Sequence, residues 1–312
     1  MFLRKGINIF TKNFLKKRIN LKLSLFNSPK NAFCTCLPKY NLNTYLGSCP
    51  HKCIYCYAVK FPSFVGKPKP RIKLLSNIEA MVKNTKPILP VMLSDCTDPY
   101  QPIEEKYGIT RKCVEVLIKY GFPILIVTKS DLVLRDLELF KQAKALIAIT
   151  ITTMDSEISK LIEPHAPTPE RRIKALEKLA KNRIPTMVRV DPIIPTLNDD
   201  EKEFENLVKK LANIGVKQVT ISTLKPVKGF FSLLERLNPE LSMRLKKIYS
   251  DGKWIAGYKY LNEKLRNQIV EKFRPIVLKY GLNFASCREN KPELNTSFCD
   301  GSFYCRNNLK VF

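Results

Sequence analysis

The chain reads as an α/β protein: a parallel sheet covered by helices and curled into a partial or full barrel. Three observations predict this. Six short apolar runs alternate with helical patterns between residues 41 and 225, the rhythm of consecutive βα units. Right-handed crossovers between such units curl the sheet. At 312 residues and 45% hydrophobic content the chain can bury a large core, yet no apolar run reaches the roughly 20 residues needed to span a bilayer.

Taken in order, the strand candidates are Asn41–Gly47, Val91–Cys96, Pro123–Lys129, Leu146–Thr153, Thr186–Ile193 and Gln218–Lys225. Helix candidates lie between them near Leu75–Asn84, Thr110–Tyr120, Asp131–Lys141, Thr168–Lys181 and Asp199–Ile214. Past residue 227 the alternation is lost. That stretch looks mainly helical up to Tyr280 and then becomes a loop rich in Asn and Cys. Three regions are therefore expected: a basic extension over 1–40, a core barrel over 41–226 and an extension over 227–312 that is helical and contains cysteines.

Net charge is +26, from 54 basic and 28 acidic side chains. No acidic residue precedes Glu79, whereas fifteen Lys or Arg do. A field so one-sided favours a polyanionic partner such as nucleic acid, DNA or RNA; a Lys-rich proteome would give the same balance without one. In the first 28 residues, Phe10, Phe14, Ile19 and Leu23 fall loosely on one helix face. That segment reads as a nucleic-acid arm, a strap across the barrel or a transit peptide, with its poverty in Ser and Arg speaking against the last. Ten cysteines without a secretory signal read as a reducing interior, so a cytoplasmic location is expected and disulfides and membrane insertion are not.

Cys49, Cys53 and Cys56 fall within eight residues, spaced Cys-x3-Cys-x2-Cys. Three soft thiolates on one loop can hold an iron–sulfur cube and leave its fourth iron open. Zinc would need a fourth protein ligand; His51 or Cys36 could complete a set, but the spacing is poor for it. The loop follows the first strand, and in parallel α/β folds sites form at the carboxyl ends of strands. Polar residues crowd the later strand ends too, at Ser94–Glu104, Thr128–Ser130, Thr150–Asp155 and Arg189–Pro195. Such repetition at one rim reads as a site. Asp98 and Pro99 alone fit a turn, as do Glu163 and His165 in their Pro-bounded loop. Cys287, Cys299 and Cys305 have no compact metal spacing, though Cys34 and Cys36 could join them in space. Cys113 lies in a predicted helix and reads as core.

The triplet resembles that of the radical-SAM superfamily. A narrower set is similar to the group around spore photoproduct lyase, often labelled DNA-repair photolyase-like: Asn43-x-Tyr45-x-Gly47, Cys56-Tyr57-Ala58, Thr97-Asp98-Pro99-Tyr100-Gln101-Pro102-x-Glu104, Thr110-Arg111, Thr128-Lys129-Ser130, Arg135-Asp136 and Glu163-Pro164-x-Ala166-Pro167. The resemblance spans about residues 40–225 and implies a partial (βα)6 barrel. It implies that Cys49, Cys53 and Cys56 hold a [4Fe-4S] cluster whose open iron binds S-adenosylmethionine. One electron, from a donor such as ferredoxin or flavodoxin, then releases a 5′-deoxyadenosyl radical. Tyr55 would pack near the adenine. Cys96-Thr97 stands where the lyase group carries its hydrogen-atom donor, and Tyr55 and Tyr57 where it carries a relay, which makes Cys96, Tyr55 and Tyr57 catalytic candidates. Cys at a strand end is also an ordinary packing residue. The step Thr97-Asp98-Pro99-Tyr100 matches the broad group rather than the lyase, so the reaction need not be thymine-dimer repair. From placement at the rim, Ser94, Thr128, Ser130, Thr152 and Arg189 are candidate S-adenosylmethionine contacts, Arg189 because guanidinium pairs with carboxylate or phosphate. The expected function is a radical-SAM enzyme acting on nucleic acid, as a DNA-repair lyase or in base chemistry. Its rivals are a radical-SAM enzyme for a peptide or metabolite and a metal-stapled, non-catalytic nucleic-acid binding protein.

Overall fold

The structure is a computed structural model that describes residues 21–27 and 33–305. Of the expected helix face in the first 28 residues, Phe10, Phe14 and Ile19 lie outside the described residues. Leu23 is buried, and its amide donates to Thr85 Oγ1 at 2.8 Å.

Seven parallel strands form one sheet: β1 (Tyr40–Leu42), β2 (Val91–Leu93), β3 (Ile124–Thr128), β4 (Ala145–Thr150), β5 (Thr186–Ile193), β6 (Gln218–Thr223) and β7 (Asn283–Ser286). They pair in that order. A two-residue strand, Ser24–Leu25, caps the β1 edge antiparallel. β1 and β7 do not pair, so the barrel is partial and open along one seam. Both faces of the sheet are covered: all six residues of β4 are buried, as parallel strands between two layers require. The main core lies between the sheet and the helices α1 (Ile72–Lys83), α2 (Ile109–Lys119), α3 (Pro169–Lys181), α4 (Glu201–Ile214) and α5 (Glu263–Lys279). Cys113 of α2 is fully buried there.

The helix starts follow from local chemistry. Thr168 caps α3 ahead of Pro169, and the Asp200 carboxylate accepts the Glu203 amide at 2.8 Å to cap α4. Several expected elements are shorter than their patterns; the strand expected over Val91–Cys96, for one, stops at Leu93. β1 stops at Leu42, and Tyr45–Leu46 leaves the sheet to pair antiparallel with Lys69–Pro70. The helix expected over Asp131–Lys141 is a 3₁₀ segment, Asp131–Asp136, then one α turn, Leu137–Phe140. Its Arg135 and Asp136 side chains are drawn inward to Glu104 and Tyr100.

Past residue 227 the chain forms two short helices (Phe230–Leu237, Pro239–Ile248), a hairpin (Lys253–Ile255 with Tyr258–Tyr260) and α5. It then returns β7 to the sheet instead of trailing off as a loop. Asn-Phe-Ala-Ser is too short and polar to announce a strand; its pairing with β6 decides it. The following segment turns into the barrel. Cys305 packs on Met92, Leu125, Leu146, Ala148 and Met187, the inner face of the sheet. A Cβ on Gly301 would collide with Leu146 and Met187 side chains, and its φ is +68°, so only glycine fits. Among the described residues no helix is long and apolar enough to cross a membrane.

Candidate active site

The cysteine loop leaves the barrel at Gly47, whose positive φ and contact with the Lys67 carbonyl leave no room for a side chain. The Ile54 amide bonds the Ile162 carbonyl at 3.0 Å and the His165 amide bonds the His51 carbonyl at 3.2 Å. The loop is thus pinned above the β4 end. Cys49, Cys53 and Cys56 are all partly exposed. Burial pushes the Cys49 and Cys53 thiols up to about 12, opposed at Cys49 by the amides of His51 and Asp98 and at Cys53 by Lys129. Bound iron overrides such a shift, because a coordinating thiol loses its proton. Amide donors aimed at a sulfur and three soft ligands on one pinned loop fit a cluster. Among the described residues, no three His, Cys, Asp or Glu side chains converge on a single ion; a cube several ångströms across does not require that. The two side chains that might complete a zinc set are engaged elsewhere: His51 Nε2 faces Asp98 Oδ2 at 3.2 Å, and Cys36 Sγ lies 3.9 Å from Cys299 Sγ.

Two buried carboxylates anchor the loop from below. Asp98 accepts the Thr128 hydroxyl (2.6 Å), the Lys129 amide (2.7 Å) and the Tyr100 amide (2.8 Å). Burial works to raise its pKa, but His51 and these donors prevail and hold it below the usual range. Glu163 takes the Tyr55 hydroxyl, Thr152 Oγ1 at 3.1 Å and Arg172 Nη1 at 2.5 Å, with Lys129 Nζ at 4.0 Å. Burial again opposes, and Lys129 and Arg172 again win, so Glu163 stays ionised. Neither residue serves merely as a turn. Tyr55 is therefore oriented by its hydroxyl, with Lys129 Nζ 5.4 Å from its ring centre.

A third network holds the loop after β2. Glu104 accepts the Tyr45 hydroxyl, the Thr110 and Arg111 amides and Arg135 Nη2 (2.6 Å). Asp136 takes Arg111, Arg135 and Tyr100. Much of the motif set is thus scaffold beneath the rim, with each buried charge paired as its burial demands.

That loop carries Cys96 to Tyr57. The Tyr57 hydroxyl donates to the carbonyl of Asp95, the residue before Cys96. Burial first, then Asp95, keeps Cys96 protonated well above the ordinary thiol range. Beside Cys96, Asp95 Oδ1 and Thr97 Oγ1 are buried without a protein partner, as expected where a ligand or water binds. The Tyr258 ring stands 6.2 Å from that of Tyr57, with Lys60 Nζ 3.8 Å and the Arg288 guanidinium 4.4 Å from its centre.

The other candidates divide. Thr128, Ser130 and Thr152 lie at the rim, but Thr128 and Thr152 spend their hydroxyls on Asp98 and Glu163, and Ser130 caps the following turn through the Leu132 amide. Ser94 is buried against Thr44. The hydrogen bonds of Arg189 go to Asp191 at 2.6 Å and the Cys299 carbonyl at 3.2 Å, placing it with the second cysteine group and not with the cluster loop. Tyr258, Arg288 and Lys60 escaped the sequence reading because they sit on a hairpin, a strand end and a 3₁₀ turn without a pattern of their own. The signal available was two Tyr, spaced one residue apart, in an otherwise basic turn.

Residues 44–211 match the family model described as the Radical SAM superfamily. An uncharacterized protein of Methanocaldococcus jannaschii is 36% identical over 230 residues, 72% of this chain and 80% of that protein. A radical SAM Nalpha-GlyT isomerase of Pseudomonas phage M6 is 21% identical, over 78% of this chain and 52% of its own. Among solved structures, spore photoproduct lyase complexed with dinucleoside spore photoproduct superposes with a TM-score of 0.62 at 16% identity, covering 86% of this chain and 79% of that one. A mutant of that lyase with bound AdoMet gives the same TM-score and coverage.

Proposed function

The chain belongs to the radical SAM superfamily, and from that premise we propose that it is an enzyme acting on a nucleobase within a nucleic acid. In this reading Cys49, Cys53 and Cys56 hold a [4Fe-4S] cluster, which with S-adenosylmethionine supplies a 5′-deoxyadenosyl radical. Every other role falls to the chain. Tyr55, fixed through Glu163, forms a wall of the cofactor site. Asp95 and Thr97 offer unpaired polar atoms to ligand.

The observation that carries the proposal is the hydrogen bond of Tyr57, beside the last cysteine of the triplet, to the Asp95 carbonyl, which brings the phenol to the residue before Cys96. A thiol kept protonated can return a hydrogen atom to a substrate carbon radical. The adjacent phenol can then restore the thiol. A nucleic-acid substrate is supported by the mouth of the site. Lys60 and Arg288 bring cations over the buried Tyr258 ring, and Trp254 on the same hairpin, 55% exposed, offers the aromatic face. Lys52 and Lys67 line an adjoining groove of about 540 Å³ with Val59, Phe64 and Val65. Cations to follow a backbone and aromatic faces to stack bases are the two components of single-strand binding. The dinucleoside spore photoproduct bound to the lyase of similar fold is consistent with this substrate class.

The test is anaerobic reconstitution with iron and sulfide, then S-adenosylmethionine and reductant. 5′-Deoxyadenosine is expected, and its yield should rise with DNA or RNA, ultraviolet-irradiated or not. A fully loaded cluster that yields none overturns the enzyme reading. Product that no nucleic acid stimulates redirects the search to a peptide or metabolite.

A further inference from the structure

We propose that Cys34, Cys36, Cys287 and Cys299 form a second metal site, a tetrathiolate that takes one zinc ion and staples the open seam of the barrel. It is separate from the Cys49, Cys53 and Cys56 loop and does not rest on the proposed reaction.

The four cysteines come from two segments far apart in sequence. Cys34 and Cys36 precede β1, and Cys287 and Cys299 follow β7. These two strands do not pair with each other. Cys36 Sγ stands 3.9 Å from Cys299 Sγ. Zinc–thiolate bonds of about 2.3 Å in a tetrahedron place sulfurs about 3.8 Å apart, so one edge of the polyhedron is already in place. A four-iron cube would hold its thiolates farther apart. Cys34 interacts with Cys36, and Cys287 with Cys299, so the thiols run as a connected chain of four. All are free of disulfides, and a single disulfide would use only two of them.

The backbone fixes most of this set. The Cys287 amide extends the β7 ladder to the Ile221 carbonyl at 2.8 Å. The Cys299 carbonyl is held by Arg189 Nη1 and Thr220 Oγ1, each at 3.2 Å. Beside Cys36, Lys39 Nζ meets Asp300 Oδ2 at 2.6 Å in a buried pair that ties the same two segments. Lys39 and Arg189 also bring positive charge to a site that four thiolates would make dianionic. No three of the thiols converge on one point; zinc would draw the Cys34–Cys36 segment, which lies outside the sheet, onto Cys287 and Cys299. Binding is then an exchange of four thiol protons for one Zn²⁺, with no oxidant or reductant.

The experiment counts zinc and iron in full-length protein purified without oxygen. It compares wild type with a Cys49→Ser/Cys53→Ser/Cys56→Ser variant that cannot hold the first cluster. About one zinc per chain is expected in both, with X-ray absorption showing four sulfur neighbours at about 2.3 Å. Adding Cys36→Ser and Cys299→Ser should abolish zinc while far-ultraviolet circular dichroism stays folded. Should that variant not fold, the sulfur count of the triple variant decides alone. Absence of zinc from the triple variant, iron in its place, nitrogen or oxygen neighbours, or a Cys36–Cys299 disulfide in the anaerobic protein overturns the proposal.

Discussion

Replacing Glu163 with Gln tests whether the cluster loop is anchored electrostatically. The carboxylate is fully buried, 2.5 Å from Arg172 Nη1 and 4.0 Å from Lys129 Nζ, and it receives the Tyr55 and Thr152 hydroxyls. The amide keeps the shape and removes the charge, leaving Arg172, only 1% exposed, without its counter-ion. Breaking a buried pair from one side costs about 3–5 kcal/mol. For a chain of this size that is a fall in Tm of about 5–8 °C. Glu163 has a depressed pKa in the folded state. Its stabilising share is therefore complete above the unfolded glutamate value of about 4.3 and is lost as pH falls through the lower folded value. Thermal unfolding at pH 7 and again near pH 3 should show a wide gap between wild type and Glu163→Gln that narrows in acid. Arg172→Met should cost a similar amount, and the double variant less than the sum of the two. A loss below about 1 kcal/mol at pH 7, or a gap insensitive to acid, would refute the anchoring argument.

Other outcomes follow from the same geometry. Replacing Cys49, Cys53 and Cys56 with Ala should abolish iron–sulfur absorbance after reconstitution and all 5′-deoxyadenosine formation. Cys96→Ala should still cleave S-adenosylmethionine but divert the substrate radical to other products; an unchanged product profile would exclude Cys96 as donor. Tyr57→Phe should keep the product and slow turnover. Affinity for single-stranded DNA should fall steeply with salt, and Lys60→Ala or Arg288→Ala should each lower the slope of log K against log salt by about 1. Gly301→Ala should cost about 1–3 kcal/mol of stability in urea unfolding, through overpacking against Leu146 and Met187.

Alternation made the barrel legible, because buried parallel strands leave continuous apolar runs and their helices leave periodic ones. Every one of the six expected strands has a counterpart, down to Thr186–Ile193 residue for residue. β7 was hidden, since four residues with two polar ends carry no pattern and exist as a strand only because β6 offers an edge. The triplet was legible because its ligands are neighbours in sequence. Asp98 and Glu163 were not, because a lone acid just ahead of a proline looks like a turn until burial and partners are known. Arg189 misled for the same reason: expected at the rim, it lies within β5, and its position said nothing of Asp191 two residues on, or of Cys299 arriving from another segment.

The inward turn of residues 299–305 has a consequence for how the chain is made. A nascent chain emerging as far as β6 has every strand of the superfamily match but not the segment that fills the barrel, nor the Asp300 partner that Lys39 needs. Lys39 and Asp300 are 261 residues apart, so their contact must wait until that whole stretch has been made. Loop closure on that scale is slow, and an unfilled sheet exposes Met92, Leu125, Leu146 and Met187 while it waits. On the ribosome the barrel is an open trough until residues 299–305 arrive.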